Sequence, residues 1–257
     1  MLECSANIEL LFSEAGITPA SRIRAAADCG FQLVEMWNWR DKDLATVTTA
    51  LAETGTRLQA LCVEPMGRLV DRSTHAQFLA GLHDSIAVAE RLGSPFLYLI
   101  AGDRMSGVER AEQHRAVVEA LSQAADVLDG HEVMLLLENL NSRVNHVGTF
   151  LDSSRETIQI VREVGAPTIG MLYDLYHSLV MGEQPTQELA GAIDMVKHVQ
   201  IADVPGQGEP GSGQVDWSRT LTELRELGYA GAIGLEYVPT VETTRSVAEI
   251  LHIAAQV

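Results

Sequence analysis

The sequence predicts an α/β fold, a (β/α)8 TIM barrel formed as a single domain by residues 1–257. Short apolar runs alternate with longer amphipathic runs along the whole chain, eight of each. The apolar runs are nearly continuous, as in parallel strands that are buried on both faces. An open doubly wound sheet would show the same alternation, but eight complete units with none left over favour a closed barrel.

The strands are predicted at the apolar runs, residues 4–8, 33–36, 58–63, 96–100, 133–137, 169–173, 196–201 and 233–236. The helices are predicted at residues 19–29, 44–53, 75–92, 110–128, 188–194, 218–227 and 244–255, with another capped by Ser153 and Ser154 and ended by Gly165. Thr18 is the expected N-cap of the first helix, because Pro19 follows it. Residues 203–216 are rich in glycine and proline but lie within a strand–helix unit, which predicts an active-site loop.

The composition excludes several classes of partner. The formal net charge is −17, and a surface this acidic repels phosphate backbones and anionic lipids, so neither nucleic acid nor a membrane is expected as a partner. The three cysteines are far apart and odd in number, which suits a reduced cytoplasm. No apolar run approaches the ~20 residues of a membrane span, and the first residues lack the basic region of a signal peptide. A cytoplasmic location is therefore expected.

Polar side chains stand at or near the ends of four consecutive predicted strands, at Glu138, Asp174, Gln200 and Glu236. The active site of a TIM barrel lies at the carboxyl ends of its strands, so these side chains should converge. Three carboxylates would repel one another unless they were protonated or bound to a cation, and hard oxygen ligands favour Mg²⁺ or Mn²⁺. Any one of these acids could instead cap the next helix, but four in register favour a metal site.

Several motifs resemble those of one known family. They are HVQIADVPG at residues 198–206, EPGSG at 209–213, DLYH at 174–177 and LENLN at 137–141. Together with residues 5–7 they resemble the hydroxypyruvate isomerase branch of the xylose-isomerase-like TIM barrels, over nearly the whole chain. The resemblance implies that Glu138, Asp174, Gln200 and Glu236 bind the metal and that the two glutamates form an acid–base pair. Related epimerases usually carry His where this chain has Gln200.

One position departs from the family pattern. The family loop usually reads Pro-x-Arg-x-Glu-Pro-Gly, and Gln207 replaces the arginine in this chain. An arginine there could face a substrate carboxylate, so its loss favours a neutral sugar, or another oxo-acid, over hydroxypyruvate.

The function predicted is that of an aldose–ketose isomerase, which moves a proton between adjacent carbons through a metal-stabilised enediolate, with Glu138 and Glu236 as catalytic residues. His177, Trp37 and Glu209 are predicted to contact the substrate. For His177 the alternative is a hydrogen bond to the backbone, and for Trp37 it is packing beneath a loop.

Three alternatives remain open at this stage. A ketose 3-epimerase or a dehydratase could use the same barrel, metal and glutamates. An endonuclease would need clustered histidines for several zinc ions, and the eight histidines of this chain do not show that arrangement. A sugar-binding barrel without catalytic activity would be expected to lack one of the four metal positions. Whether the chain forms a homo-oligomer is also open.

Overall fold

The computed structural model describes residues 2–257, and its strands close into a parallel barrel in the order β1 to β8. The strands are β1 Cys4–Asn7, β2 Leu33–Glu35, β3 Arg57–Cys62, β4 Phe96–Leu99, β5 Met134–Glu138, β6 Ile169–Asp174, β7 Val196–Ile201 and β8 Ile233–Leu235. Closure comes from the pairing of β1 with β8, in which Ser5 lies opposite Gly234. The predicted TIM barrel is thus confirmed.

Nine α-helices surround the barrel within residues 2–257. They are α1 Pro19–Asp28, α2 Leu44–Thr54, α3 His75–Leu92, α4 Arg110–Val127, α5 Ser154–Val164, α6 Leu175–Met181, α7 Pro185–Glu188, α8 Trp217–Glu226 and α9 Thr243–Gln256. Thr18 caps α1 as predicted, because its side chain accepts a hydrogen bond from the backbone N–H of Ser21. Gly165 ends α5 in the left-handed conformation that glycine adopts without steric cost.

The sixth predicted helix, at residues 188–194, is wrong. A helix starts earlier instead, at Leu175 directly after β6, and the carboxylate of Asp174 caps it. The short helix α7 ends at Glu188, and Gly191, with a φ of 71°, lies in the turns that follow. The helix of this unit was therefore predicted too far along the chain. Asp174, which was chosen as a site acid, is also the residue that caps the observed helix.

The interior of the barrel has an apolar half and a polar half. Ala60, Leu136 and Leu172, on β3, β5 and β6, pack together in one cluster. Side chains of β1, β2, β7 and the segment after β8 form hydrogen bonds across the barrel instead, from Asn7 to Glu236 and from Gln200 to Glu35. Because β8 pairs with β1, these four strands are contiguous around the barrel. The polar half extends upward to the carboxyl ends of the strands, where the site lies.

Candidate active site

A cavity of about 440 Å³ opens at the carboxyl ends of the barrel strands. Glu138, His177, Glu236 and Trp37 line it, together with apolar side chains from several loops. This volume is within the range of small-molecule sites in proteins. Two of the predicted metal ligands and two of the predicted substrate contacts therefore face one cavity.

The three predicted acids are almost entirely removed from solvent, with 6% of Glu138, 2% of Asp174 and 7% of Glu236 exposed. Burial, reinforced by the other carboxylates, raises the pKa of Glu138 and of Glu236 well above the ordinary value. Burial likewise raises the pKa of Asp174 to about 7. Ionising any of these buried acids therefore costs free energy unless a bound cation compensates the charge. Without a cation, burial favours the protonated form.

Gln200 lies beside Asp174 in the register of β6 and β7. Its amide Nε2 donates a hydrogen bond of 2.8 Å to Glu35 Oε1, which determines how the amide group is turned. The amide oxygen of Gln200 is buried and has no hydrogen-bond partner in the described chain. An unsatisfied buried oxygen on the register partner of Asp174, which itself lies close to Glu138, fits a hard divalent cation, so the residues suit the metal that the sequence implied.

His177 offers a second candidate donor, because atoms of Glu138, Asp174 and His177 lie within 4.8 Å of one another. The hydrogen bonds of Asn141 argue against this role. Its Oδ1 accepts from the backbone N–H groups of Val144 and Asn145, so its Nδ2 must face His177 Nδ1 at 2.6 Å. Nδ1 is then the acceptor and Nε2 carries the proton, which faces Asp174 Oδ2 at 3.7 Å. A protonated nitrogen donates a hydrogen bond and does not bind a cation, so the tautomer favours the predicted substrate contact.

Two donors hold Glu236. Asn7 Nδ2 lies 2.9 Å and Trp37 Nε1 2.6 Å from the same oxygen, Oε1, so neither occupies Oε2. Trp37 lines the cavity, as the prediction of a substrate contact requires. Its hydrogen bond to Glu236 also holds that carboxylate in place. Packing beneath a loop, the alternative considered from the sequence, would not require this bond.

Glu209 lies elsewhere. Its carboxylate accepts hydrogen bonds from the backbone N–H and the hydroxyl of Thr240, at 2.8 and 2.6 Å, and it does not line the cavity. It joins the loop after β7 to the loop after β8. A substrate contact from Glu209 stays a prediction, and it would need these bonds to be exchanged.

Gln207, where the family loop carries arginine, does line the cavity. Its side-chain oxygen accepts a hydrogen bond of 2.8 Å from Asn145 Nδ2, which connects the loops after β5 and β7 across the mouth. No Lys or Arg lines the cavity in the part of the chain described. Arg143 donates to the carbonyl of Val180 and Arg68 to that of Asp103, and neither lines the cavity.

Sequence reasoning missed Glu35, Asn7 and Asn141 as residues that support the site. Glu35 had a readable signal, because it is a charged residue within the apolar run of the second predicted strand. Asn7 and Asn141 had no such signal beyond their place in motifs, because Glu236 and His177, the site residues that they contact, are 229 and 36 residues away in sequence.

A family model described as "Xylose isomerase-like TIM barrel" matches residues 23–253. The chain belongs to the xylose isomerase-like TIM barrels. Within this family, a hydroxypyruvate isomerase of Escherichia coli K12 is 29% identical over 250 residues, which cover 95% of this chain and 96% of that one. A human protein whose name assigns it provisionally to the hydroxypyruvate isomerases is 34% identical, over 94% of this chain and 91% of its own. The branch predicted from the motifs is confirmed.

The family fold is also seen in solved structures. An AP endonuclease, family 2, from Brucella melitensis has a TM-score of 0.91 and 26% identity, covering 98% of this chain and 99% of that one. Between residues 2 and 257, no helix is long and apolar enough to cross a membrane.

Proposed function

We propose that this chain is a divalent-metal-dependent isomerase that interconverts an aldose and a ketose, or a related hydroxy-oxo-acid pair, by proton transfer between neighbouring carbons. The observation that carries the proposal is the pair of buried glutamates, Glu138 and Glu236, which face one cavity beside Asp174 and the unpartnered amide oxygen of Gln200. The relatives named as hydroxypyruvate isomerases favour the same class of reaction.

Glu138, Asp174, Gln200 and Glu236 would hold the cation. When bound, it supplies the positive charge that a developing enediolate needs. Glu138 and Glu236 both line the cavity, so one can take the proton and the other return it. His177 Nε2–H is placed to donate a hydrogen bond to a substrate oxygen, because Asn141 holds the other ring nitrogen.

The lining of the cavity favours a neutral substrate. It offers two carboxylates and no Lys or Arg within residues 2–257, so beyond the proposed metal the lining provides no cationic side chain to pair with a substrate carboxylate. The volume of about 440 Å³ also has room for a sugar longer than three carbons. We therefore propose a neutral sugar ahead of hydroxypyruvate.

The test is an assay of metal-free protein, with and without Mg²⁺ or Mn²⁺, against neutral three- to six-carbon sugars and oxo-acids. Activity should disappear with a chelator and return with the cation. Running the reaction in D₂O separates the remaining alternatives: an isomerase incorporates deuterium at C1 or C2, and a ketose 3-epimerase at C3. Full activity in protein shown to be free of metal would refute the metal dependence, and metal binding without turnover of any sugar would favour the non-catalytic barrel.

The fold neighbour named as an endonuclease makes DNA the contrasting substrate class. A phosphate backbone is repelled by the net charge of −17 and finds no Lys or Arg in the lining of the cavity, as described for residues 2–257. An abasic duplex added to the same assay should remain uncleaved.

A further inference from the structure

Glu35 is fully buried inside the barrel, and its two oxygens have different partners. Oε2 accepts a hydrogen bond from His198 Nε2 at 2.7 Å, and Oε1 accepts one from Gln200 Nε2 at 2.8 Å. An amide nitrogen only donates hydrogen bonds, so Oε1 of Glu35 is the acceptor in its bond to Gln200. Glu35 therefore selects one of the two ways in which the Gln200 amide can be turned.

The backbone leaves room for this arrangement at Gly234. A Cβ at this position would lie 2.7 Å from one oxygen of Glu35 and 2.8 Å from His198 Nε2. Since real Cβ atoms essentially never approach so closely, any other residue at 234 would displace the pair. Gly234 is also the register partner of Gln200, so the space lies next to the amide that Glu35 holds.

We propose that Glu35 is a positioning residue for the metal site: it binds the amide nitrogen of Gln200 and thereby turns the amide oxygen toward the cation. The proposal rests on the proposed function, because it assumes that Gln200 is a metal ligand. Its independent support is the buried oxygen of Gln200, which has no hydrogen-bond partner in the described chain although its nitrogen is satisfied. With the amide reversed, its oxygen would face the carboxylate and its N–H groups the cation, and both contacts would be repulsive.

The informative variant is Glu35→Gln. Glutamine has one acceptor oxygen instead of two, so His198 and Gln200 would compete for it, and the Gln200 amide could reverse against the new NH₂ group. The affinity for Mn²⁺, measured by titration calorimetry or by the electron paramagnetic resonance signal of the free ion, should fall by about 10- to 100-fold. Glu35→Asp keeps two acceptor oxygens but withdraws them by one methylene, and we expect a smaller loss.

A double-mutant cycle separates positioning from general damage to the fold. Gln200→Ala removes the group through which Glu35 acts, so adding Glu35→Gln to Gln200→Ala should cause no further loss of Mn²⁺ affinity. Losses that multiply would refute the positioning role, as would wild-type affinity in Glu35→Gln. If the wild-type protein itself binds no Mn²⁺, the proposed function fails first, and this outcome is distinct from the other two.

Gly234→Ala is a second test, because it fills the space around Glu35 without removing any polar group. The added methyl should displace Glu35 and weaken Mn²⁺ binding in the same direction. Gly130→Ala is a matched control for glycine replacement, because no atom lies within 4 Å of a Cβ at position 130. Its positive φ of 83° strains any side chain there, so Gly130→Ala should lower stability but leave Mn²⁺ affinity unchanged. Equal Mn²⁺ affinity in the Gly234→Ala and Gly130→Ala variants would overturn the role given to the space at Gly234.

Discussion

At the scale of single residues, Glu138 and Glu236 have the same chemistry but different surroundings. Glu236 Oε1 receives two hydrogen bonds, from Asn7 and Trp37, whereas Glu138 is perturbed mainly by burial and by neighbouring carboxylates. The indole of Trp37 favours the ionised form of Glu236. We therefore propose Glu236, whose carboxylate two donors hold in place, as the base in the forward direction.

Replacing either glutamate by glutamine keeps an oxygen ligand but removes the base. We expect Glu138→Gln and Glu236→Gln, saturated with Mn²⁺, to lose about 10²- to 10⁴-fold in kcat, the range for lost general acid–base catalysis. Asp41→Asn removes one negative charge from an exposed position, with 70% of that side chain accessible, and should leave kcat unchanged. Near-normal turnover in either glutamine variant with metal bound would mean that the glutamate is only a ligand.

The tautomer of His177 allows a separate test. If Nε2–H donates to the substrate, His177→Phe should lower kcat/KM by about 10- to 100-fold, the range for a hydrogen bond to a charged group, and leave the Mn²⁺ affinity unchanged. Loss of Mn²⁺ binding would instead identify His177 as a ligand.

Asn141→Asp tests the same tautomer without altering the imidazole. Aspartate accepts a hydrogen bond where asparagine donates one, so the proton of His177 should move to Nδ1. The ¹⁵N chemical shifts of the ring nitrogens would report the exchange directly, and kcat/KM should fall. An unchanged tautomer would remove the argument for a substrate donor at Nε2.

At the scale of elements, Asp174 ends β6, caps α6 and faces the proposed cation. Its Oδ1 accepts a hydrogen bond of 2.8 Å from the backbone N–H of His177. Asp174→Asn keeps a capping oxygen, whereas Asp174→Ala does not. We expect both variants to lose Mn²⁺ affinity, but only the alanine variant to lose the cap, worth about 0.5–2 kcal/mol. Thermal unfolding of the two metal-free variants would measure this difference in stability. Equal stability would mean that the cap contributes little to the folding of this protein.

The loop after β7 determines the expected preference for a neutral substrate. Gln207→Arg introduces a cation at the mouth of the cavity and removes the acceptor for Asn145. We expect it to raise kcat/KM for hydroxypyruvate relative to a neutral sugar, because arginine pairs with a carboxylate through two hydrogen bonds. If wild-type protein prefers hydroxypyruvate to every neutral sugar tested, the reasoning from position 207 is wrong. Steady-state kinetics of both proteins decide the question.

The elements also show what the sequence could predict. Eight apolar runs were enough for the barrel, because a parallel strand buried on both faces leaves a continuous signal. The helix after β6 was misplaced, because capping and the site were treated as alternatives for Asp174, whereas its carboxylate both caps the helix and faces the other acids. Glu35 stands out in the sequence as a charge within an apolar run, but its partners are 163 and 165 residues away, so no local pattern could predict which residues it binds.

At the scale of the whole molecule, the buried acids couple metal binding to stability. The pKa of Asp174 rises from 3.8 to about 7, and those of Glu138 and Glu236 lie well above 4.5, so the folded metal-free protein holds more protons than the unfolded chain. The contribution of these three acids to stability should therefore be full below about pH 4 and should be lost as the pH rises through 7. We expect the Tm of metal-free protein to decrease between pH 5 and 8, and Mn²⁺ to reduce this decrease.

The control is the double variant Glu138→Gln and Asp174→Asn, in which two of the three titrating acids are neutral at every pH. Its metal-free Tm should depend less on pH than that of the wild type, and at pH 8 it should be the higher of the two. A metal-free wild type that becomes more stable between pH 5 and 8 would contradict the assignment.

The polar half of the barrel has a consequence for the newly made chain. Glu35 is synthesised 163 residues before His198, and β7 is the strand that brings both of its partners. Until that strand arrives, the apolar half from β3 to β6 can already pack, whereas the carboxylate of Glu35 has nothing inside the barrel to bind. Closure should therefore be a late step in biogenesis, and a ribosome stalled before residue 196 should carry an open sheet that chaperones can still recognise.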